Sequence, residues 1–461
     1  MIFIFLFVLS FGYQPVFAQQ NISAAEIDSQ IYIFRKGSNL EIALTSRDLN
    51  NQPYVIYSAK YKNQLSQYLE KNPSNLDSLL ELYSVQVYIH DLEGAKNTLT
   101  RYKNSIDKSF SLNNKNVDAL LHASEYYRIK QDRFLQKNFL DSAIKYHPNS
   151  IKVKEYLLKF HILNQDFKNA QYVAYDLLNQ NSKHLEALFT LININFYENA
   201  YFGIKDDYSY IQKLISENPD IPQLPFIKTY LQTYNFLLLL MDYDFDEITY
   251  KKWKIPQNLK NISDSLYNTW KNHLPYITNK AAVHTMMMII KFIEKDTSNA
   301  KNHFQKAIEF DPYYFPAYSN YFQFQFEIEN YRECIKSTLE LLKYLPSENN
   351  HLMLAKAYFF AKNYYLTEEA LNKVLEKKPK EPHVFTALAQ YHLKFRKFNE
   401  VEKYLNLAKQ IDPRDPSYNF TAAMYNILNG NKKQAKEHLL TYLEFFEKDE
   451  IAWKWLKSLY D

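Results

Sequence analysis

The sequence predicts an all-α protein, an α-solenoid of stacked antiparallel helix pairs. Pro312, Pro346, Pro379 and Pro413 are spaced 34, 33 and 34 residues apart. Each proline closes a segment in which apolar residues recur at helical spacing. The 461 residues include only five glycines, fewer than a protein rich in tight β-turns needs. A period in the thirties indicates one helical unit stacked on copies of itself, because a single helix pair cannot bury its apolar face alone.

The predicted first helix of each pair carries a small residue followed by a tyrosine. The clearest examples are Ala355 with Tyr358, Ala389 with Tyr391, and Ala423 with Tyr425. Small residues let two helix backbones approach closely, so we expect the paired helices to cross there. The second helices carry apolar residues at i, i+4 and i+7, and prolines end several of them.

These residues resemble the tetratricopeptide repeat, which has small residues at the helix crossing, aromatics along the first helix and a proline at the end. The polar turns between paired helices resemble it as well, at 329–331, 362–364, 396–398 and 430–432. The resemblance is good over 281–449 and fair over 76–184. Met288 and Phe322 depart from it, because they replace the small residue of the first helix. The resemblance implies a superhelix whose first helices line the concave side.

The periodic pattern and its interruptions predict the organisation of the chain. The predicted segments are a signal peptide (1–18), an N-terminal helical cap with one weak repeat (19–75), a degenerate array (76–218), an irregular helical connector (219–280), a regular array (281–449) and a C-terminal capping helix (450–461). The apolar run at 236–241 is interrupted by polar residues too soon to span a membrane, so we expect it to be a core helix.

Residues 1–18 are typical of an export signal. Residues 1–11 are almost wholly apolar, Pro15 breaks the helix, and residues 16–18 offer a cleavage site. No lysine or arginine precedes the apolar stretch, and the alternative is a first core helix of the solenoid. No cysteine follows the signal to accept a lipid anchor. We therefore expect a periplasmic or secreted protein with no membrane span after cleavage.

Reactive or ligand-binding motifs are scarce in the sequence. The formal charge is only +4, from 55 basic and 51 acidic residues, which argues against a nucleic-acid partner. The five glycines are too far apart to form a phosphate-binding loop. The twelve histidines form no His-Glu-x-x-His motif, and Cys334 is the only cysteine. The sequence therefore predicts no enzyme activity, no catalytic residues, no cofactor and no metal.

The candidate binding residues come from the resemblance. If the first helices line the concave side, residues one turn beyond the crossing position would face a ligand. They form an apolar stripe of Phe292, Phe326, Phe359, Leu393 and Ile427, with the polar neighbours Gln323, Lys356 and Gln390. An exposed stripe of this kind would suit an amphipathic helix or an extended peptide. The alternative is ordinary packing within the repeats.

The sequence as a whole favours a non-enzymatic scaffold or adaptor that binds a protein or peptide in the concave groove, in the bacterial cell envelope. Three alternatives stay open. A carbohydrate-binding envelope protein would use exposed aromatic rings as stacking platforms. A cytoplasmic regulator would retain residues 1–18. An enzyme would need a cleft, for which the segment around Trp253 and Trp270 is the only plausible place.

Overall fold

The computed structural model describes residues 22–24, 27, 55–89, 91–130, 132–163, 166–202, 209–219, 224–242, 254–377, 379, 381–446 and 449–460. Within these residues the chain forms helices and no strand, which confirms the predicted all-α class. The helices are α1 (Ala59–Lys71), α2 (Leu76–Tyr88), α3 (Leu92–Leu112), α4 (Val117–Ile129), α5 (Arg133–Tyr146), α6 (Ile151–Leu163), α7 (Phe167–Gln180), α8 (Leu185–Phe202), α9 (Ser209–Glu217), α10 (Leu224–Asp242), α11 (Gln257–His273), α12 (Lys280–Ile293), α13 (Thr297–Phe310), α14 (Phe315–Glu327), α15 (Tyr331–Tyr344), α16 (Glu348–Phe360), α17 (Tyr364–Glu376), α18 (Pro382–Lys394), α19 (Phe398–Ile411), α20 (Pro416–Leu428), α21 (Lys432–Leu443) and α22 (Glu450–Tyr460).

The chain divides into two compact units. The larger one comprises Ser38–Asn350, and the smaller one comprises Met1–Gly37 together with His351–Asp461. This division falls within α16, whereas the sequence places its boundaries at 280 and 449. Those boundaries stay predictions, and the predicted signal at 1–18 lies outside the described residues.

Helices that follow one another in sequence pack as pairs. In the larger unit these pairs are α2 with α3, α4 with α5, α6 with α7, α10 with α11, α12 with α13, and α14 with α15. In the smaller unit α18 packs on α19, and α20 packs on α21. Successive first helices also touch, as α4 does with α6, α12 with α14, and α18 with α20. This arrangement confirms the predicted α-solenoid of stacked helix pairs.

The turn between paired helices has one geometry at five places. In each turn one residue adopts a left-handed conformation, with φ between 56° and 72°; these residues are Lys295, Glu329, Lys362, Arg396 and Gly430. The amide of Gly430 donates to the carbonyl of Ile427 at 3.1 Å, and the amide of Asn431 donates to that of Asn426 at 2.8 Å. The other four turns repeat both bonds, which define the Schellman motif. The turns predicted at 329–331, 362–364, 396–398 and 430–432 each begin at one of these left-handed residues.

The residue that follows the left-handed residue often caps the amino-terminal end of the second helix. The side chains of Asp296, Asn363 and Asn431 each accept a hydrogen bond from the amide three residues further on, at 3.1, 3.2 and 3.3 Å. An Asp or Asn side chain in this position satisfies an amide that the helix cannot satisfy itself. Each of these turns therefore ends one helix and begins the next within about three residues, which keeps the repeat length nearly constant.

The first helices are more buried than the second ones. In α12 every residue from Ala281 to Ile290 is buried. In α13, its partner, the buried residues are Ala300, His303, Phe304 and Ala307, which lie on one face. Met288 and Phe322, which depart from the repeat pattern, are buried as well. Cys334 is buried on a second helix, where a small apolar side chain suffices.

A cluster of four tyrosines joins distant parts of the larger unit. The hydroxyl of Tyr88, at the end of α2, donates to the backbone carbonyl of Tyr313. The Tyr88 ring meets Tyr57 edge-on at 5.6 Å, and Tyr313 meets Tyr344 at 5.4 Å. Burial, and then the nearby Asp311, raise the pKa of Tyr88. The larger unit thus contains a long-range contact in addition to those between sequence neighbours.

A polar network attaches α11 to α12 and α13. Ser263 donates to Glu294 at 2.6 Å, and the Tyr267 hydroxyl lies 3.0 Å from Nε2 of His303. The Nδ1 atoms of His284 and His303 are 3.1 Å apart, and their rings stack. Burial lowers the pKa of each of these histidines to about 4. Part of the predicted connector therefore packs directly on the array that follows it.

We expect Gly430→Ala to destabilise the fold by about 1 kcal/mol. No atom lies within 4 Å of where the new Cβ would be, so the cost comes from the left-handed backbone alone. Urea unfolding followed by circular dichroism measures the change, with Gln434→Ala on the exposed side of α21 as the control. Equal stability of Gly430→Ala and the wild type would show that this turn does not need its backbone conformation.

The histidine pair should make the fold acid-sensitive. Its folded pKa lies below the unfolded value of about 6.5, so the neutral form stabilises the fold above pH 6.5, and this contribution is lost as the pH falls towards 4. Lys306 faces both histidines, and Lys280, Lys291 and Asp296 each face one of them. Between pH 7.5 and 5, we expect the wild type to lose roughly 1–2 kcal/mol more unfolding free energy than His303→Gln. Parallel pH profiles of the two proteins would contradict this.

Candidate interaction surface

In the larger unit the predicted apolar stripe lies inside the array. The rings of Phe292 and Phe324 stack with centroids 3.9 Å apart and planes 11° apart, which joins α12 to α14. Phe326 meets Tyr331, the first residue of α15, at 5.5 Å and Phe322 at 5.9 Å. Both Phe292 and Phe326 are buried. These two side chains therefore hold helices together.

The stripe residues of the smaller unit are packed in a similar way. Phe359 meets Tyr364, the first residue of α17, at 5.8 Å and Tyr391 of α18 at 6.3 Å. Phe359 and Leu393 are buried, whereas Ile427 is half-buried. The packing interpretation thus describes four of the five stripe residues. Partner binding by this stripe stays a prediction.

The polar neighbours of the stripe differ in their surroundings. Gln323 Nε2 donates to Glu327 Oε1 at 2.8 Å on its own helix. Gln390 Nε2 donates to Thr421 Oγ1 at 2.9 Å, so it connects α18 to α20. Gln323 and Gln390 are half-buried, while Lys356 is buried. The two glutamines are therefore the members of this set that reach the surface.

A second hydrogen bond connects the same two first helices in the smaller unit. The hydroxyl oxygens of Thr386 on α18 and Ser417 on α20 are 3.0 Å apart. Ser417 also contacts the carboxylate of Asp415, which caps α20. Together with the Gln390–Thr421 bond, this contact forms a row of amide and hydroxyl groups across α18 and α20.

In the larger unit the corresponding row is charged. Lys152 lies 2.6 Å from Asp118, and Lys159 lies 3.1 Å from Glu125. Each of these pairs joins α4 to α6 and spans 34 residues, one repeat. Arg128 lies 2.6 Å from Glu125 as well. Burial opposes the charge of Glu125, but the hydrogen bonds and charges of Arg128 and Lys159 hold its pKa below the ordinary value.

The sequence reasoning missed this charged row. The sequence signal for this row is a pair of opposite charges one repeat apart. Asp118 with Lys152 and Glu125 with Lys159 are two such pairs, each 34 residues apart.

A Tyr–His–Asp arrangement in the larger unit has the composition of a catalytic site but not its exposure. The Tyr102 hydroxyl lies 2.7 Å from His122 Nδ1, and Asp77 lies 3.3 Å from His122 Nε2. Tyr102 and His122 are buried, and burial lowers the pKa of His122. A substrate cannot reach the buried hydroxyl. The three side chains instead join α2, α3 and α4. Among the described residues, no three His, Cys, Asp or Glu side chains are placed to hold a metal ion.

A cavity of about 470 Å³ opens between α3, α4 and α5. Five aromatic rings line it: Phe110, Tyr126, Tyr127, Phe139 and Tyr146. Tyr127 and Phe139 stack at 5.5 Å with planes 9° apart. Four of these rings are half-buried and Tyr146 is exposed, and the carbohydrate-binding alternative would need such exposed rings for stacking.

The segment around Trp253 and Trp270 is the predicted place for an enzyme cleft, and the structure describes part of it. Trp270 is fully buried, and its indole N–H donates to the Thr233 hydroxyl at 3.1 Å. It therefore packs in the core between α10 and α11. Trp253 lies outside the described residues. Of the helices that the structure describes, none is long and apolar enough to cross a membrane.

No protein family model matches the chain, and no curated protein matches it in sequence. Solved structures do resemble it. Yeast Tom70 has 12% identity and a TM-score of 0.46, with 87% of this chain and 96% of that chain covered. Pseudomonas aeruginosa PilF has 14% identity and a TM-score of 0.33, covering 50% and 99%. YrrB, described as a tetratricopeptide protein with an unusual peptide-binding site, has 15% identity and a TM-score of 0.28, covering 41% and 97%.

These proteins are similar to the chain in fold alone, since every identity is below 25%. The class of protein is therefore given by the paired helices themselves. The chain is an all-α solenoid of stacked helix pairs, which is the architecture that the resemblance to the tetratricopeptide repeat implies.

Proposed function

We propose that this chain is a non-enzymatic scaffold that binds a protein or peptide partner along the surface of its first helices. One observation carries the proposal: successive first helices touch directly, so that their outward side chains recur one repeat apart on one surface. Such a surface matches an extended or helical segment, which also presents side chains at regular intervals.

The chemistry of the surface supports a polypeptide as the ligand. In the smaller unit the half-buried Gln390 and Ser417 present an amide and a hydroxyl at the surface, and each is held by a buried threonine, Thr421 and Thr386 respectively. These groups both donate and accept, as peptide backbone groups do. In the larger unit the row of carboxylates and lysines on α4 and α6 would instead select a segment by its charged side chains.

We further propose that the protein acts in the cell envelope after loss of residues 1–18. The support is the sequence of those residues, an apolar stretch followed by a proline and a small-residue cleavage site. The scaffold then meets its partner outside the cytoplasm.

The binding surface predicts where a partner can be crosslinked. A photoreactive phenylalanine placed at Gln323, Gln390 or Ile427 should crosslink a protein in the native cell. At Tyr172 and Tyr365, which are 74% and 79% exposed on second helices, it should give at most a tenth of that yield. Mass spectrometry of the crosslinked bands measures both. A partner crosslinked only from Tyr172 and Tyr365 would move the interface to the second helices.

Export predicts a mature chain that begins at Gln19. Amino-terminal sequencing of the protein purified from its native cell measures this directly. A chain that retains residues 1–18 in the cytoplasmic fraction would favour the cytoplasmic regulator instead.

A further inference from the structure

The cavity between α3, α4 and α5 lies beside a helix that is longer than its counterparts. Asp91, Asp132 and Asp166 cap the amino-terminal ends of α3, α5 and α7. From these caps α3 runs for 21 residues, whereas α5 and α7 run for 14 residues each. The second helix of this pair therefore continues for about two turns beyond the length that the next two pairs use.

The additional turns of α3 line the cavity. Counted from the cap, these turns are residues 106–112. Ile106, Asp107 and Phe110 of this segment belong to the cavity lining, and so does Asn114 in the loop that follows it. One wall of the cavity thus comes from an insertion in the repeat and not from the packing that all pairs share.

Three tyrosines on the other walls carry hydroxyl groups. Tyr126 and Tyr127 lie on α4, and Tyr146 is the last residue of α5. Within the part of the chain that the structure describes, the hydroxyls of these tyrosines and the side-chain amide of Asn114 have no hydrogen-bond partner. Phenol and amide groups both donate and accept hydrogen bonds. The cavity therefore offers uncommitted hydrogen-bonding groups next to aromatic rings.

The surface around the Tyr146 ring is positively charged. The Nζ atoms of Lys115 and Lys145 lie 5.2 and 5.9 Å from the centroid of this ring. Neither lysine forms an ion pair with a described residue. The one carboxylate in the cavity lining, Asp107, is paired through both of its oxygens with Lys103, at 2.6 and 2.7 Å. A ligand with a carboxylate of its own therefore meets two unpaired ammonium groups.

These features together fit a carbohydrate better than a peptide helix. A pyranose ring presents C–H groups on its face and hydroxyls around its edge, so it requires aromatic rings beside groups that donate and accept. The volume of about 470 Å³ is within the range of small-molecule sites. An amphipathic helix would instead require a long apolar groove.

We propose that this cavity binds a short acidic oligosaccharide that contains uronic acid residues. Tyr146 stacks on a sugar ring, and the phenols of the two α4 tyrosines bond to sugar hydroxyls. Lys115 and Lys145 pair with the sugar carboxylates. The site is separate from the surface of the first helices on which the proposed function rests, and it does not depend on that function.

Isothermal titration calorimetry on the full chain tests the proposal with trigalacturonate, trimannuronate and a hyaluronan tetrasaccharide. At least one of these acidic probes should show saturable binding. Maltotriose, which has no carboxylate, should bind at least tenfold more weakly. Tyr146→Ala should weaken binding of the best acidic probe at least tenfold, because it removes the stacking ring. Tyr172→Ala, at an exposed site on α7, should leave that binding unchanged.

A second set of variants tests the charge of the site. The double variant Lys115→Ala, Lys145→Ala should weaken binding of the best acidic probe at least tenfold, because both ammonium groups are lost. Lys168→Ala, at an exposed site on α7, should leave it unchanged. Added sodium chloride should weaken binding to the wild type more than binding to the double variant.

Filling the cavity separates binding inside it from attraction to the surface lysines. Ser142 lines the cavity, so Ser142→Trp should abolish binding while every charge stays in place. Asn138→Trp, at an exposed position of the same helix outside the lining, is the matched control and should bind as the wild type does. Unchanged circular dichroism melting of each variant shows that the fold is intact.

Four results would overturn the proposal. They are the absence of saturable binding of all the acidic probes, binding that survives Tyr146→Ala and Ser142→Trp, maltotriose binding within tenfold of the best acidic probe, and a tetra-aspartate peptide that binds as tightly as that probe. The third would assign the cavity to a neutral sugar, and the fourth to an acidic protein segment.

Discussion

The structure depends on the tight turn that joins the two helices of a pair. Its two hydrogen bonds end the first helix, and the left-handed residue redirects the chain so that the second helix begins almost at once. Because the turn has the same length in five repeats, the residues after it recur at nearly constant intervals. Small residues lie at three of these crossings, Ala355, Ala389 and Ala423, while Met288 and Phe322 occupy the other two, and the pairs stack in register. Four of the five turns place a non-glycine residue in this conformation, so packing of the paired helices compensates a backbone cost of about 1 kcal/mol or more in each.

Stacking in register explains why four of the five residues of the apolar stripe are buried. The position one turn beyond the crossing lies where a first helix, the start of its second helix and the next first helix meet, as Phe359 does with Tyr364 and Tyr391. An aromatic ring fills that junction. The side chains left for recognition are the polar ones on the outer side of the first helices, such as Gln390 and Gln323, and the charged pairs between α4 and α6. The proposed recognition would then rest on hydrogen bonds and charge more than on apolar anchors.

Much of the fold could be predicted from the sequence, because its determinants are local and periodic. The prolines, the small residues at Ala355, Ala389 and Ala423, and the polar turns each act within one repeat. The binding residues could not be predicted equally well, since Phe326 has the same spacing whether its ring faces solvent or packs on Tyr331. Whether a side chain at this position is buried depends on how three helices pack together, and the sequence of one helix does not show that packing. The capping role of 450–461 stays a prediction, and α22 buries the apolar face from which it was predicted.

The central claim is that the first helix of each pair is the more buried one, with only a narrow half-buried strip at the surface, while each second helix keeps one face in water. Hydrogen–deuterium exchange of the full chain, resolved by peptide, measures this most directly. The account predicts slow exchange in α12, α14, α18 and α20, and exchange at least tenfold faster in α13, α15, α19 and α21, so that protection alternates with the repeat period. Uniform protection along 280–443, or slower exchange in the second helices than in the first, would contradict it.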